Sequence, residues 1–152
     1  MSNVPPFPEW ELKAHPAYLM AETKYLEDLA SKATKDSPNA SKSRQLKKLE
    51  YLYALTRLRI PADPSRDSYR LGNTLGVKHT FWRRAKFLQQ YRIFFRYSST
   101  SKLIVYAWAN DDETLRAFGS KTDAYIVFKR MIESGKVPSS WDELMAEAEK
   151  LS

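Results

Sequence analysis

The chain has 152 residues, 43% of them hydrophobic and 13% aromatic, which is enough apolar material for one domain with a core of its own. It carries 25 lysines and arginines against 18 aspartates and glutamates, a net charge of +7 that favours an anionic partner such as nucleic acid or an acidic protein. The lack of cysteine excludes disulfides and thiolate metal sites, the four glycines form no Walker or dinucleotide pattern, and the longest apolar run, LIVYAWA at 103–109, is too short to cross a bilayer.

Residues 1–8 hold three prolines and read as a loose arm without the basic and apolar regions of a secretion signal, so a soluble cytoplasmic chain is expected. EWELKAH, residues 9–15, alternates Trp10, Leu12 and Ala14 with Glu11 and Lys13, which predicts a short strand at a sheet edge. Pro16 suits the first turn of a helix, where its missing N–H costs nothing, and Tyr18, Tyr25, Leu26 and Leu29 follow at helical spacing. The polar stretch KATKDSPNAS predicts a turn. Ser41 then caps a second helix to about Arg59, with Leu46, Leu49, Leu52 and Tyr53 on its buried side.

Pro61 and Pro64 end that helix, and LGNTLGVKHT at 71–80 reads as a surface loop. Strands at 81–88, 91–97 and 102–109 follow with no helix between them, joined at Gln89 and Gln90 and at SSTS, which predicts an antiparallel meander. Thr122 and Asp123 open a helix carrying Ala124, Tyr125, Phe128, Met131 and Ile132, closed by Gly135. Ser140 and Glu143 form a capping box for a last helix, from Trp141 to about Leu151. The fold expected over residues 1–152 is a single α+β domain: two N-terminal helices on one face of a mostly antiparallel sheet, two further C-terminal helices, and the other sheet face free.

Charge is unevenly placed. Residues 68–110 contain no acid but hold Arg70, Lys78, Arg83, Arg84, Lys86, Arg92, Arg96 and Lys102, among half of the chain's aromatics. Within QQYRIFFRYS, alternation sends Tyr91, Ile93, Phe95 and Tyr97 to one face and Arg92, Phe94 and Arg96 to the other. Such a cationic, aromatic face suits phosphate contact with base stacking, or else the arginines are solvated or paired with distant carboxylates.

Most reaction classes lack their parts. NDDE at 110–113 reads as a loop or helix start and not as a metal cage, so no metal or other cofactor is expected. His15 before Pro16 reads as structural, and His79 beside Lys78 either touches RNA or is an ordinary loop histidine. No nucleophile elbow is present. What remains is electrostatic catalysis, in which RNA cleaves itself through its own 2′-hydroxyl and lysine or arginine stabilises the charged phosphorane.

The stretch from Tyr91 to Leu144, above all YRIFFRYS, WANDDETLR and GSKTDAYIVF, resembles the YhaV family of toxins, within the RelE superfamily of bacterial toxin–antitoxin ribonucleases. EWELKAHPAY and RLGNTLG extend the likeness, and residues 22–58 match only in pattern. The resemblance implies a RelE-like fold with its helix pair on a twisted sheet, and a bacterial mRNA interferase that acts on translating ribosomes. It also implies a cognate PrlF-type antitoxin, and contact with DNA only indirectly, through the antitoxin complex. By position it sets Arg92 against the scissile phosphate, and Arg84 and Lys86 as the paired basic residues of the preceding strand. Lys121 and Tyr125 take the place of a C-terminal basic residue and a tyrosine used for charge stabilisation, stacking or proton transfer. The family's terminal histidine has no counterpart, since the chain ends EKLS.

The candidate catalytic set is therefore Arg92, Lys121 and Tyr125, and the candidate RNA surface is Arg83, Arg84, Lys86, Phe94, Arg96, Lys78 and His79. Plainer roles stand beside these: Tyr125 as core, Lys121 as a solvated charge, Asp123 as a helix cap, and Arg116 paired with Asp112 or Glu113 at helical spacing. The rival reading is a non-catalytic basic module that binds RNA or an acidic partner.

Overall fold

A computed structural model describes residues 9–34 and 39–152, so the expected arm at 1–8 and the centre of the inter-helix turn at 35–38 lie outside the described residues. Strand β1 (Glu11–Ala14) leads straight into helix α1 (Pro16–Thr34). His15 makes the junction. Its Nδ1 accepts the backbone N–H of Ala17 at 3.0 Å, which leaves Nε2 to donate to Glu147 Oε1 at 2.7 Å. This buried histidine is a structural tie between the start of α1 and the far end of the chain.

Helix α2 (Asn39–Ala54) passes without a break through a π-helical turn at Leu55–Arg59 into α3 (Ile60–Ala62), a little beyond the expected end. The wide turn has a cause in the side chains: Thr56 Oγ1 donates back to the Leu52 carbonyl at 2.9 Å, while the buried Tyr106 hydroxyl donates to the carbonyl of Thr56.

Strands β2 (Arg83–Phe87), β3 (Tyr91–Ser98) and β4 (Leu103–Ala109) form the expected meander. The sheet order is β2-β3-β4-β1-β5, with β1 parallel to β4 and every other pair antiparallel. Two expectations are corrected at its end. Strand β1 is interior, because β5 (Glu149–Lys150) pairs with it, and the last helix α5 (Trp141–Glu147) stops short of Leu151 to let the chain return.

One sheet face behaves as the alternation requires. Tyr91, Ile93 and Phe95 join Ala85, Phe87, Ile104 and Tyr106 in a core with Tyr18, Tyr25, Leu49 and Leu52 of the helix pair. The opposite face is not free. Helix α4 (Ala124–Glu133), capped by Asp123 and closed at Gly135 (φ +82°), covers it, and Phe128 stacks on Phe94 with ring centroids 4.2 Å apart. A bulge in the β3–β4 register, Phe94 opposite Trp108 but Phe95 opposite Tyr106, turns both Ala107 and Trp108 to this side. Trp108 stacks on Phe94 at 6.0 Å and Trp82 meets Phe128 edge-on at 5.1 Å. The sheet thus carries a second aromatic core, with helices on both faces.

Candidate active site

Strand β2 sends Ala85 and Phe87 to the first core, so Arg84 and Lys86 point to the α4 side. There Arg84 lies opposite Phe94 and Lys86 opposite Arg92 in the antiparallel register. The first turn of α4 places Tyr125 over this corner. Its hydroxyl accepts hydrogen bonds from Arg84 Nε at 2.9 Å and Arg92 Nε at 3.0 Å, while its ring meets Phe94 edge-on at 5.6 Å.

Both guanidinium groups are held by neutral oxygens. Arg84 also donates to the carbonyls of Ser68 and Arg70, and Arg92 to those of Gln89 and Tyr91, all at 2.8 to 3.0 Å. Among the described residues neither arginine has a carboxylate in ion-pair range. Arg92 is only 6% exposed, and a cation so far from water without a counter-charge is costly unless an anion approaches.

A third guanidinium completes the cluster. Arg116 Nη1 lies 2.7 Å from Asp123 Oδ1, and its guanidinium stands 4.9 Å from the Tyr125 ring centre. Asp123 also accepts the N–H groups of Ala117 (2.7 Å) and Tyr125 (3.0 Å), so this buried carboxylate is fully engaged. Arg116 therefore pairs with Asp123 and not, as its spacing predicts, with Asp112 or Glu113. Three guanidiniums gather around one phenol with one carboxylate among them.

Beside the phenol opens a cavity of about 480 Å³, lined by Arg116, Phe118, Lys121, Tyr125, Ile126 and Arg130 among others. The structure brings Lys121 and Tyr125 to this one cavity, while Arg92 lies beneath Tyr125 and reaches it through the hydroxyl. Lys86 is exposed on the strand next to Arg92.

Other expected RNA contacts sit elsewhere. Phe94 is completely buried, so its ring has no face to offer a base, a correction that follows from α4 covering the sheet. Arg83 alternates to the opposite face, where its guanidinium lies 5.1 Å from the Tyr97 ring. Arg96 is separated from Arg92 by the Phe94–Phe128 stack. Phe81, Trp82 and Trp141 surround it at 4.2 to 5.4 Å, it donates to the Ser139 carbonyl, and burial pulls its pKa down from the usual arginine value. Lys78 and the half-buried His79 occupy a short 3₁₀ turn, Val77–His79.

The acids of NDDE fasten the sheet to the helix pair. Asp111 and Glu113 take Lys24, at 3.1 and 3.2 Å, and Asp112 takes the buried Lys48 at 3.2 Å and the Tyr91 hydroxyl. Burial pushes the Asp112 carboxyl up, but the Tyr91 hydrogen bond and the Lys48 ammonium outweigh it and hold the carboxyl below its usual range. Burial, with the bond to Asp112, pushes the Tyr91 hydroxyl up to about 12. Asn110 accepts the Arg92 backbone N–H at 2.6 Å and so anchors the strand that carries the site. Among the described residues no group of three His, Cys, Asp or Glu could hold a metal ion, and no helix is long and apolar enough to cross a membrane.

Sequence reasoning missed Arg116 and Phe118 as parts of the site. The available signal was Gly119, whose positive φ (+84°) lets the chain fold back so that Arg116 reaches Asp123.

A family model described as a toxin with endonuclease activity, of a toxin–antitoxin system, matches residues 12–149. Ribonuclease toxin YhaV of Escherichia coli (strain K12) is 36% identical over 143 residues, which cover 93% of each chain. Toxin YhaV of Escherichia coli O157:H7 shows the same identity and coverage. No solved structure matches.

Proposed function

Because the chain belongs to the YhaV family of toxins with endonuclease activity, we propose that it is an mRNA endoribonuclease whose reaction centre is the cavity beside Tyr125. The observation that carries this reading is the convergence of Arg84 and Arg92 on one hydroxyl, with no carboxylate paired to either among the described residues. A scissile phosphate in the cavity would lie against Lys121 and Tyr125, with the charge of the two guanidiniums behind the phenol.

The reaction proposed is transesterification without a metal. The substrate's 2′-oxygen attacks the adjacent phosphorus and gives its proton to water. The 2′-O–P bond forms, the P–O5′ bond breaks, and the products are a 2′,3′-cyclic phosphate and a 5′-hydroxyl. Lys121, exposed at the cavity, stabilises the extra negative charge of the phosphorane. Tyr125 protonates the leaving 5′-oxygen and regains its proton from water. Two guanidinium N–H groups already point at its oxygen, so its own hydrogen is directed away from them. Arg92 is a positioning residue in this scheme, since it acts through Tyr125 and through the strand turn. Lys86 and Arg84 steer the RNA backbone.

The substrate reading extends to mRNA engaged by the ribosome in the cytoplasm. A PrlF-type antitoxin is the partner that blocks the cavity and supplies any contact with DNA. The test is cleavage of a defined mRNA by purified protein in EDTA, with and without 70S ribosomes, followed by analysis of the ends. Cyclic phosphate ends in EDTA support the mechanism, and their appearance only with ribosomes supports ribosome dependence. Salt-sensitive RNA binding with no cleavage in either arm would favour a non-catalytic binding module.

A further inference from the structure

Phe118 is 93% exposed, a large apolar ring standing almost wholly in water at the lip of the cavity. The loop that holds it is well tied. Ser120 N–H donates to the Ala117 carbonyl at 3.0 Å, Asp123 N–H to the Ser120 carbonyl at 3.2 Å, and Ala117 N–H to the Asp123 carboxylate. Arg116, fixed by the same carboxylate, has its guanidinium 5.6 Å from the Phe118 ring and 4.9 Å from the Tyr125 ring. One cation therefore bridges the exposed ring to the phenol at the reaction centre.

We propose that Phe118, backed by Arg116, is a stacking platform for one unpaired base of the RNA, and that it helps choose where the strand is cut. This rests on the ribonuclease reading and goes beyond it by naming a base subsite. Every base has a π face that a ring open to solvent can stack, with modest preferences set by stacking strength, and a guanidinium beside it adds a cation–π contribution. Lys121 and Arg130 line the same cavity and are placed for the flanking phosphates. The cavity's carboxylate, Asp123, is spent on Arg116. The exposed ring with cations on either side matches a base with its flanking phosphates, so RNA is the occupant proposed, and a protein partner seated on the same ring is an outcome of the test.

The test uses a short, uncleavable single strand of 2′-O-methyl RNA carrying 2-aminopurine, whose fluorescence reports stacking, beside cleavage mapping on a defined mRNA. Phe118→Ala and Phe118→Leu are expected to weaken binding roughly 5- to 150-fold and relieve the quenching, the range of one lost base–aromatic stack. Phe118→Trp should keep the affinity and redistribute the cleavage positions. All three should melt as the wild type does, since the ring is exposed. A Leu variant as good as wild type would overturn the platform, because apolar contact alone would then suffice. So would an Ala variant with unchanged RNA affinity and weaker binding to the co-encoded antitoxin. Quenching without cleavage by the wild type would sink the ribonuclease reading and leave the platform standing. Wild-type cleavage that Phe118→Ala leaves unaltered would do the reverse.

Discussion

Arg92 and Tyr125, 33 positions apart in the chain, meet through a 3.0 Å hydrogen bond from Nε to the phenolic oxygen, and both residues are buried. Each constrains the other. The guanidinium fixes where the hydroxyl sits above the sheet, and the hydroxyl satisfies a donor that would otherwise be stranded.

Tyr125→Phe removes the proposed proton donor and keeps the ring. Cleavage should fall on the order of 10²-fold, the scale of one lost general acid, with RNA affinity nearly unchanged. Stability should also fall by roughly 1–3 kcal/mol, because the Nε groups of Arg84 and Arg92 lose their acceptor. Single-turnover cleavage beside a thermal melt checks both. Activity within about threefold of wild type would end the proton-transfer role.

Arg92→Ala should lower kcat by about 10² while KM changes little, because its guanidinium lies under Tyr125 and not at the cavity wall. Arg92 Nη1 also holds the Gln89 carbonyl at 2.8 Å, in a turn where Leu88 and Gln89 take positive φ without being glycine. Arg92→Lys should not rescue, since an ammonium cannot serve the hydroxyl and two carbonyls as a planar fork does. An equal loss in RNA affinity would return the guanidinium to the phosphate itself.

Lys121→Ala tests the opposite case, an exposed cation at the cavity. Its melting temperature should match wild type while kcat/KM drops about 10- to 100-fold, and Lys121→Arg should recover part of the loss. A full-activity Ala variant would make Lys121 a solvated charge only.

Phe94→Ala separates core from contact. Stacked on Phe128 and Trp108, it should cost about 3–5 kcal/mol in urea unfolding, the range for a buried phenylalanine. An unchanged midpoint with weakened RNA binding would reopen its face to a base.

The acid limit of stability has a named contributor. The Asp112 carboxyl is held below its unfolded value, so its contribution is present above about pH 4 and is lost as pH falls through the lowered folded value. Asp112→Asn should lower stability at pH 7 by about 1 kcal/mol, a modest figure because more than a third of the side chain meets solvent. The gap should close toward pH 2. Denaturant melts of both proteins at the two pH values measure it, and a constant gap would remove Asp112 from the acid transition.

The local code of the chain was readable without a structure. Pro16 opening α1, the Asp123 cap, the Ser140 cap on the Glu143 N–H and the two faces of β3 all rest on periods of two or 3.6 residues and on short-range hydrogen bonds, which lie within a few positions of each other. The likeness of YRIFFRYS and GSKTDAYIVF to the family was legible in the same way. Tertiary packing decided the rest. Whether the Arg92 face stayed open depended on α4 folding back over it, which no period in β3 encodes, and that choice turned Phe94 into core and buried Arg92 beneath Tyr125. Arg84 reaches Tyr125 across 41 residues and His15 reaches Glu147 across 132, pairings set by the burial of two aromatic layers and the oxygens left for each buried donor. A strand arginine needs an acceptor, and only the folded chain determines which one it finds.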